Sequence, residues 1–324
     1  MIPDYTVDEL ICVCIARQIE DGEVVAQGIA TPLVAAGYIL AKLTHAPNVA
    51  LVSAIGNSIC HDWAPLSVSH IEEIWLGRAT HILSFAEIAG TVLPTLSPRE
   101  FFRPAQVDPY GNFNNVVIGN YQPLRPFDGA QDRPFDGAQD RPGSGQALRP
   151  FDRAQGSGQA PRLRLPGCGG IADVTVFSPG IYLYVPRHER RVFVERPDFI
   201  SGVGFLSGEG EEERRQRGIT SPGPRYLVSD LGQFDYVHGR MRLISRHPGV
   251  SVEEVQAQTG FPLEVVPDVT ETPPPTQEQV RLLREEIDPL GVRRLECLSG
   301  KKRRVVLREI VELEEASEWV GPSE

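Results

Sequence analysis

The sequence predicts an α/β protein: an open, mostly parallel sheet flanked by helices, with a β-rich C-terminal half. Three observations lead there. Helix and strand signals alternate through the first part of the chain. Val49-Ala50-Leu51-Val52 is apolar without alternation, as in a strand buried on both faces. Short strand-like runs crowd the stretch from Ile181 to Ser245. A β–helix–β order implies parallel strands joined by right-handed crossovers.

Thr6-Val7-Asp8-Glu9 is a capping box that opens an apolar helix running to about Gln18. Asp21-Gly22 turns the chain into a strand over Glu23–Gln27, which Gly28 ends. Thr31-Pro32 supplies an N-cap and a first-position proline for a helix to about Leu43, and the strand Val49–Val52 follows. Ligands in open α/β sheets bind beyond the carboxyl ends of the strands, which draws interest to Ser53-Ala54-Ile55-Gly56. Between 57 and 104, Ile71–Ile74 and Ile82–Phe85 read as helical and strand pieces, and Ser97-Pro98-Arg99-Glu100 as a further helix start. His61, His70 and His81 share no metal-ligand spacing and are expected to be structural or solvated.

Asp108-Pro109-Tyr110-Gly111-Asn112 is a tight turn in which Pro109 fixes one corner and the Asx side chains bond nearby backbone. A strand over Phe113–Ile118 follows it. From 125 to 153 an eight-residue unit, Arg-Pro-Phe-Asp-Gly-Ala-Gln-Asp, recurs with Arg125, Arg133, Arg141 and Arg149 in register. Its few apolar groups cannot offset ordering entropy, so 123–164 is expected to be a disordered insertion. Gly167-Cys168-Gly169-Gly170 then leaves backbone N–H groups bare for a carbonyl or phosphate oxygen.

Strands are expected at Ile181–Val185, Arg191–Val194, Tyr226–Ser229, Gln233–Tyr236 and Met241–Ser245, and helices after Ser251 and Thr276. Gly202-Val203-Gly204 lacks the third glycine and following helix of a dinucleotide loop, and Glu209–Arg217 reads as a solvated charged loop. Residues 292–324 read as a charged C-terminal extension to a single domain over 1–291. A net charge of −11 and 41% hydrophobic content describe a soluble globular protein and argue against nucleic acid as partner. No membrane span or signal peptide is evident, so a cytoplasmic location is expected. Of the five cysteines, Cys12 and Cys14 are expected to be buried thiols, and no disulfide framework is implied.

Gln106–Asn114, Ile118-Gly119-Asn120-Tyr121, the glycine loop, Arg190–Phe193 and Glu285–Pro289 together resemble the beta subunit of the glutaconate CoA-transferase family. Arg191–Glu195, Val228–Asp235 and His247–Val250 are similar to the beta subunit of the steroid ring-opening acyl-CoA hydrolase. The resemblance spans roughly residues 5–291 apart from the insertion. It implies an alpha-type partner in a heterotetramer or larger assembly, an acyl-CoA thioester as substrate and no further cofactor. It also implies a site between subunits lined by Asp108, Asn112, Asn114, Gly167, Cys168, Gly169 and Gly170.

The family's nucleophilic glutamate aligns with Ala54. A methyl group cannot attack a thioester to form the acyl-glutamyl anhydride of CoA transfer. Ser53 is adjacent but belongs to the opposite strand face, which suits a packing or hydrogen-bonding role at the substrate site. Hydrolysis or C–C cleavage with partner residues is therefore expected, with true CoA transfer and a non-catalytic acyl-CoA-binding scaffold as the alternatives.

Overall fold

The computed structural model describes residues 4–28, 31–53, 56–70, 77–119 and 162–316. Helix α1 (Val7–Ala16) starts from the predicted capping box, with the Thr6 N–H donating to Glu9 at 2.8 Å. β1 (Val24–Gln27), α2 (Pro32–Thr44, proline at its start) and β2 (Ala50–Ser53) follow as expected. β3 (Ser58–Cys60) and β4 (Ala79–Ile82) extend the sheet beyond β2. The helix expected at Ile71–Ile74 lies outside the described residues. Ser84 caps α3 (Phe85–Glu87), which runs through a π-helical stretch, Ile88–Val92, into α4 (Leu93–Leu96).

Ser97-Pro98-Arg99-Glu100 does not start a helix. Ser97 adopts a left-handed conformation, φ 49°, that ends α4, and Arg99 opens strand β5 (Arg99–Phe102). Tertiary packing overrides the local capping signal: Phe101 is buried among the rings of Tyr38, Tyr182 and Tyr226, which only a strand between its neighbours delivers. The strand expected over Phe113–Ile118 is two short ones. β6 (Gln106–Val107) pairs with β7 (Phe113–Asn114), and β8 (Val117–Ile118) pairs with β9 (Leu163–Arg164). β9 thus takes residues from the end of the expected insertion, of which 123–161 lie outside the described residues.

α5 (Ile171–Phe177) leads into β10 (Gly180–Val185). Arg191–Val194 is not a strand; it makes only an isolated bridge from Phe193 to Val107. The charge run Glu209–Arg217 is not a solvated loop either. It forms α6 (Glu211–Gln216), in which Arg214 is fully buried and donates to the carbonyls of Thr175, Val203 and Ser221. Those carbonyls, one in the last turn of α5 and two in loops, need donors away from water, and the five N–H groups of a guanidinium supply them. β11 (Pro224–Ser229), β12 (Gly232–Val237), β13 (Arg240–Arg246), α7 (Val252–Gln258) and β14 (Glu264–Glu271) complete the β-rich half. α8 (Gln277–Arg281), prolonged by π-helical Leu282–Ile287, α9 (Arg294–Cys297) and α10 (Gly300–Ala316) close the chain.

Among the described residues the main sheet has ten strands in the order β14-β13-β12-β11-β10-β5-β1-β2-β3-β4. The central block β11-β10-β5-β1-β2 is parallel throughout, and both wings add antiparallel strands. One face packs on α1 and α2 through residues such as Ile11, Tyr38 and Phe101; the other buries Ala26, Val52, Phe102, Val174 and Leu183. Cys12 and Cys14 are buried as expected.

Residues 292–296 are built into this body, whereas Lys301–Arg304 on α10 are exposed, as expected of a charged surface segment, and α10 is held through Ile310 and Glu314. Arg293 is buried against Asp8, Glu9 and Asp288, at 2.8–2.9 Å. Its Nε faces Asp8 Oδ2 as an ion pair without hydrogen-bond alignment. Burial raises the Glu9 carboxyl, but bonds from Arg284 and the Thr6 N–H and the charge of Arg293 outweigh it and hold the group below its usual range. Glu296, also buried, accepts from Leu33 N–H, Tyr184 and Arg103. Glu314 on α10 accepts from the Val68 N–H at 2.6 Å. No helix among the described residues is long and apolar enough to cross a membrane.

Candidate active site

A cavity of about 1300 Å³ opens where three adjacent parallel strands, β1, β5 and β10, reach their carboxyl ends. Gln27 and Gly28 follow from β1, Phe102 and Arg103 from β5, and Tyr184, Val185 and Arg187 from β10. The open-sheet rule directs attention to this end of the strands. α3, α4 and α5 supply apolar wall from Phe85, Leu93, Val174 and Phe177.

All four residues of the glycine loop, Gly167, Cys168, Gly169 and Gly170, line this cavity. Gly167 (φ 115°) and Gly169 (φ 51°) hold left-handed conformations, and a side chain at either would meet nothing within 4 Å. Backbone conformation, not crowding, requires glycine there, and the space beside the loop is free for a ligand. The carbonyls of Cys168 and Gly170 accept from α5, at Ile171 and Val174. The N–H groups of 167–170 donate to no partner among the described residues.

The predicted turn is present, but its polar side chains look inward. Asp108 accepts from the N–H groups of Tyr110 and Asn112 and from the Asn112 side chain, all at 2.8–2.9 Å. Burial outweighs those bonds and pushes the Asp108 carboxyl up to about 6. Asn112 also donates to the Leu206 carbonyl and accepts from the Gly204 and Leu206 N–H groups. Asn114 bridges Gln106, the Val117 carbonyl and the Val116 N–H. None of the three is in the cavity wall. Their hydrogen bonds serve the fold: Asp108 closes the turn, Asn112 ties it to Gly204 and Leu206, and Asn114 ties it to Gln106 and the Val116–Val117 backbone. Ser53 is buried, accepts from the Gly56 N–H at 2.9 Å and is not in the cavity wall. Ala54 lies outside the described residues.

Two features were not read from the sequence as parts of a site. Arg103, Arg162, Arg187, Arg191 and Arg303 all border the cavity, the last from α10. Burial, then the neighbouring charge of Arg103, lowers the Arg187 guanidinium below its ordinary range. The second is Glu100, buried on β5 within the cavity wall, where burial alone pushes its carboxyl up to about 8. An acidic residue beside two phenylalanines in Arg99-Glu100-Phe101-Phe102 would have signalled it, had the segment been read as a strand. Among the described residues no group of three or more His, Cys, Asp or Glu could hold a metal ion.

Comparison with known proteins places this geometry. No family model matches the chain. The B subunit of the 3-oxoadipate CoA-transferase of Pseudomonas knackmussii is 30% identical over 297 residues, covering 86% of this chain and 92% of that protein. The B subunit of the glutaconate CoA-transferase of Acidaminococcus fermentans is 29% identical over 88% of this chain and 94% of its own length. The crystal structure of that enzyme superposes with a TM-score of 0.68 at 26% identity, over 88% of this chain and 96% of the matched one. The decarboxylase AibA/AibB superposes with a TM-score of 0.67 at 25% identity, covering 90% and 98%. A cholesterol ring-cleaving hydrolase subunit of Rhodococcus jostii is 33% identical over 142 residues, 42% of this chain and 52% of that protein.

Proposed function

The chain belongs to the family of CoA-transferase beta subunits, and from that premise we propose that it works with an alpha-type subunit on an acyl-CoA thioester, by hydrolysis or C–C cleavage rather than by glutamate-mediated CoA transfer. The carrying observation is the glycine loop in the cavity wall, whose N–H groups have no partner among the described residues. Such donors can stabilise the oxyanion that forms when a thioester or ketone carbonyl is attacked. The cavity volume exceeds the roughly 300–1,000 Å³ of ordinary small-molecule sites, which suits a ligand of CoA size. Its arginines suit the phosphates of such a ligand.

Ala54 at the position of the family's glutamate favours chemistry without a covalent glutamyl intermediate. The names of the relatives span both outcomes: two CoA-transferases, a decarboxylase and a ring-cleaving hydrolase. True CoA transfer stays as the second reading, because the B subunits of two CoA-transferases match this chain over more than nine-tenths of their own length.

The test is co-expression with an alpha-type subunit, followed by incubation of the complex with a panel of acyl-CoAs while free thiol and CoA exchange to acetate are followed separately. Thiol release or a C–C cleavage product without exchange supports the proposal. Exchange overturns it in favour of transfer, and acyl-CoA binding with neither signal overturns it in favour of a scaffold.

A further inference from the structure

Glu100 stands in the middle of the parallel block, in register with Ala26 of β1 and Ile181 of β10. It is only 8% exposed, and its Oε2 has no hydrogen-bond partner among the described residues. Glu100 belongs to the wall of the same cavity as the glycine loop. A side chain at Gly28 would come within 3.9 Å of Glu100 Oε1, so glycine keeps that flank of the carboxyl clear. Native interiors rarely leave a buried carboxylate oxygen unpaired, and those that do are places to look for chemistry.

We propose that Glu100 is the acid–base group of this chain, which holds and activates the water that attacks the acyl-CoA carbonyl. The inference rests on the acyl-CoA reading and assigns to this chain the carboxylate that Ala54 removes. β1 separates β5 from β2, so Glu100 sits two strand spacings, roughly 10 Å, from the strand that ends at Ser53. In the step, the ionised Glu100 accepts one proton from the water as its oxygen bonds to the thioester carbon. The resulting oxyanion lies at the N–H groups of 167–170. Collapse breaks the C–S bond, and Glu100 returns the proton to the leaving thiolate sulfur. Acyl-CoA and water thus become a carboxylic acid and free CoA thiol, with Glu100 restored.

The apolar setting keeps Glu100 protonated at neutral pH, and its ionised fraction grows toward pH 8. The other ionisable or charged groups of the cavity wall are Arg103, Arg162, Cys168, Asp173, Tyr184, Arg187, Glu189, Arg191 and Arg303, with Tyr38 across the sheet. Glu100→Gln removes the proton acceptor while keeping size and polarity. In the complex with the alpha-type subunit it is expected to lower kcat for thiol release by about 100-fold or more, with KM changed less than about threefold. It is also expected to abolish the rise of kcat/KM between about pH 6.5 and 8. Retention of activity within about fivefold, or an unchanged pH profile, overturns the assignment.

A second measurement separates this failure from failure of the substrate reading. A hydrophobic carbodiimide modifies protonated carboxyls in apolar cavities, so peptide mapping of the treated wild-type complex should find Glu100 modified, less so at pH 9 than at pH 6. Modification of Glu100 in a complex that binds no acyl-CoA overturns the acyl-CoA reading and keeps the reactive carboxyl. Turnover without such modification, and with full activity in Glu100→Gln, overturns the carboxyl and keeps the substrate.

Discussion

Asn112 shows how a polar residue at a candidate site can serve the fold instead. Its side chain makes four hydrogen bonds, to Asp108, Leu206 and the N–H groups of Gly204 and Leu206. Asn112→Ala strands buried donors and is expected to cost about 2–4 kcal/mol in urea unfolding, while acyl-CoA affinity of the folded complex stays unchanged. A fall in affinity at unchanged stability would return Asn112 to the substrate site. Cysteines divide along the same line. Cys12, Cys14 and Cys60 are buried and burial raises their thiols, Cys14 to about 12. Cys168 is partly exposed in the cavity wall. Iodoacetamide should therefore alkylate Cys168 at least about tenfold faster than those three in the native protein, and bound acyl-CoA should slow it. Mass-spectrometric peptide mapping over time reads both effects, and equal rates for Cys12 and Cys168 would contradict the placement.

At the scale of elements, the C-terminal helices act as a clasp on the N-terminal layer. α9 follows directly on Arg293, which joins α1 through Asp8 and Glu9, and Glu296 on α9 caps the start of α2 at the Leu33 N–H, 2.9 Å away. A chain ending at Gly291 would leave Asp8 and Asp288 buried without their cation and Glu9 with Arg284 alone, and breaking one such buried pair costs about 3–5 kcal/mol. That truncation is expected to abolish cooperative unfolding followed by circular dichroism; a melt like that of the full chain would show the clasp dispensable. The same elements mark where sequence reading works. α1, β1, α2 and β2 carry caps, turns and apolar runs that agree with their burial, and are legible at once. β5 is not, because Ser97-Pro98-Arg99-Glu100 has local helix-capping chemistry and only long-range pairing with β1 and β10 makes it a strand. α6 and α10 escape sequence reading for a related reason. Charge runs look solvated until the fold brings carbonyls or N–H groups to Arg214 and Glu314. The glycine loop is legible because unusual backbone conformations demand glycine, whereas Glu100 is hidden with its strand.

For the whole molecule, buried ionisable groups write themselves into the pH dependence of stability. His188 and His247 are held neutral by burial, down to about 3 and about 4, so neither changes charge on unfolding above their ordinary range near 6.5. Asp108 and Asp230, pushed up to about 6 by burial, are mostly ionised in both states above that pH. Glu100 differs: its carboxyl, ordinarily near 4.5, is raised to about 8 in the folded chain. A raised carboxyl favours the folded state fully below its unfolded value, and the benefit is lost as pH climbs toward the folded value. Between about pH 6.5 and 8 the folded chain holds a proton at Glu100 that the unfolded chain has released, so stability should fall with pH by up to about 1.4 kcal/mol per unit. Glu100→Gln cannot titrate and should remove that slope. Denaturant unfolding of both proteins at pH 6.5, 7.25 and 8 would show their stability difference widening in favour of the variant. A constant difference across the three pH values would mean that the wild-type carboxyl is already ionised at pH 6.5, and hence that the cavity around Glu100 is less apolar than its Phe102, Leu93 and Val174 walls imply.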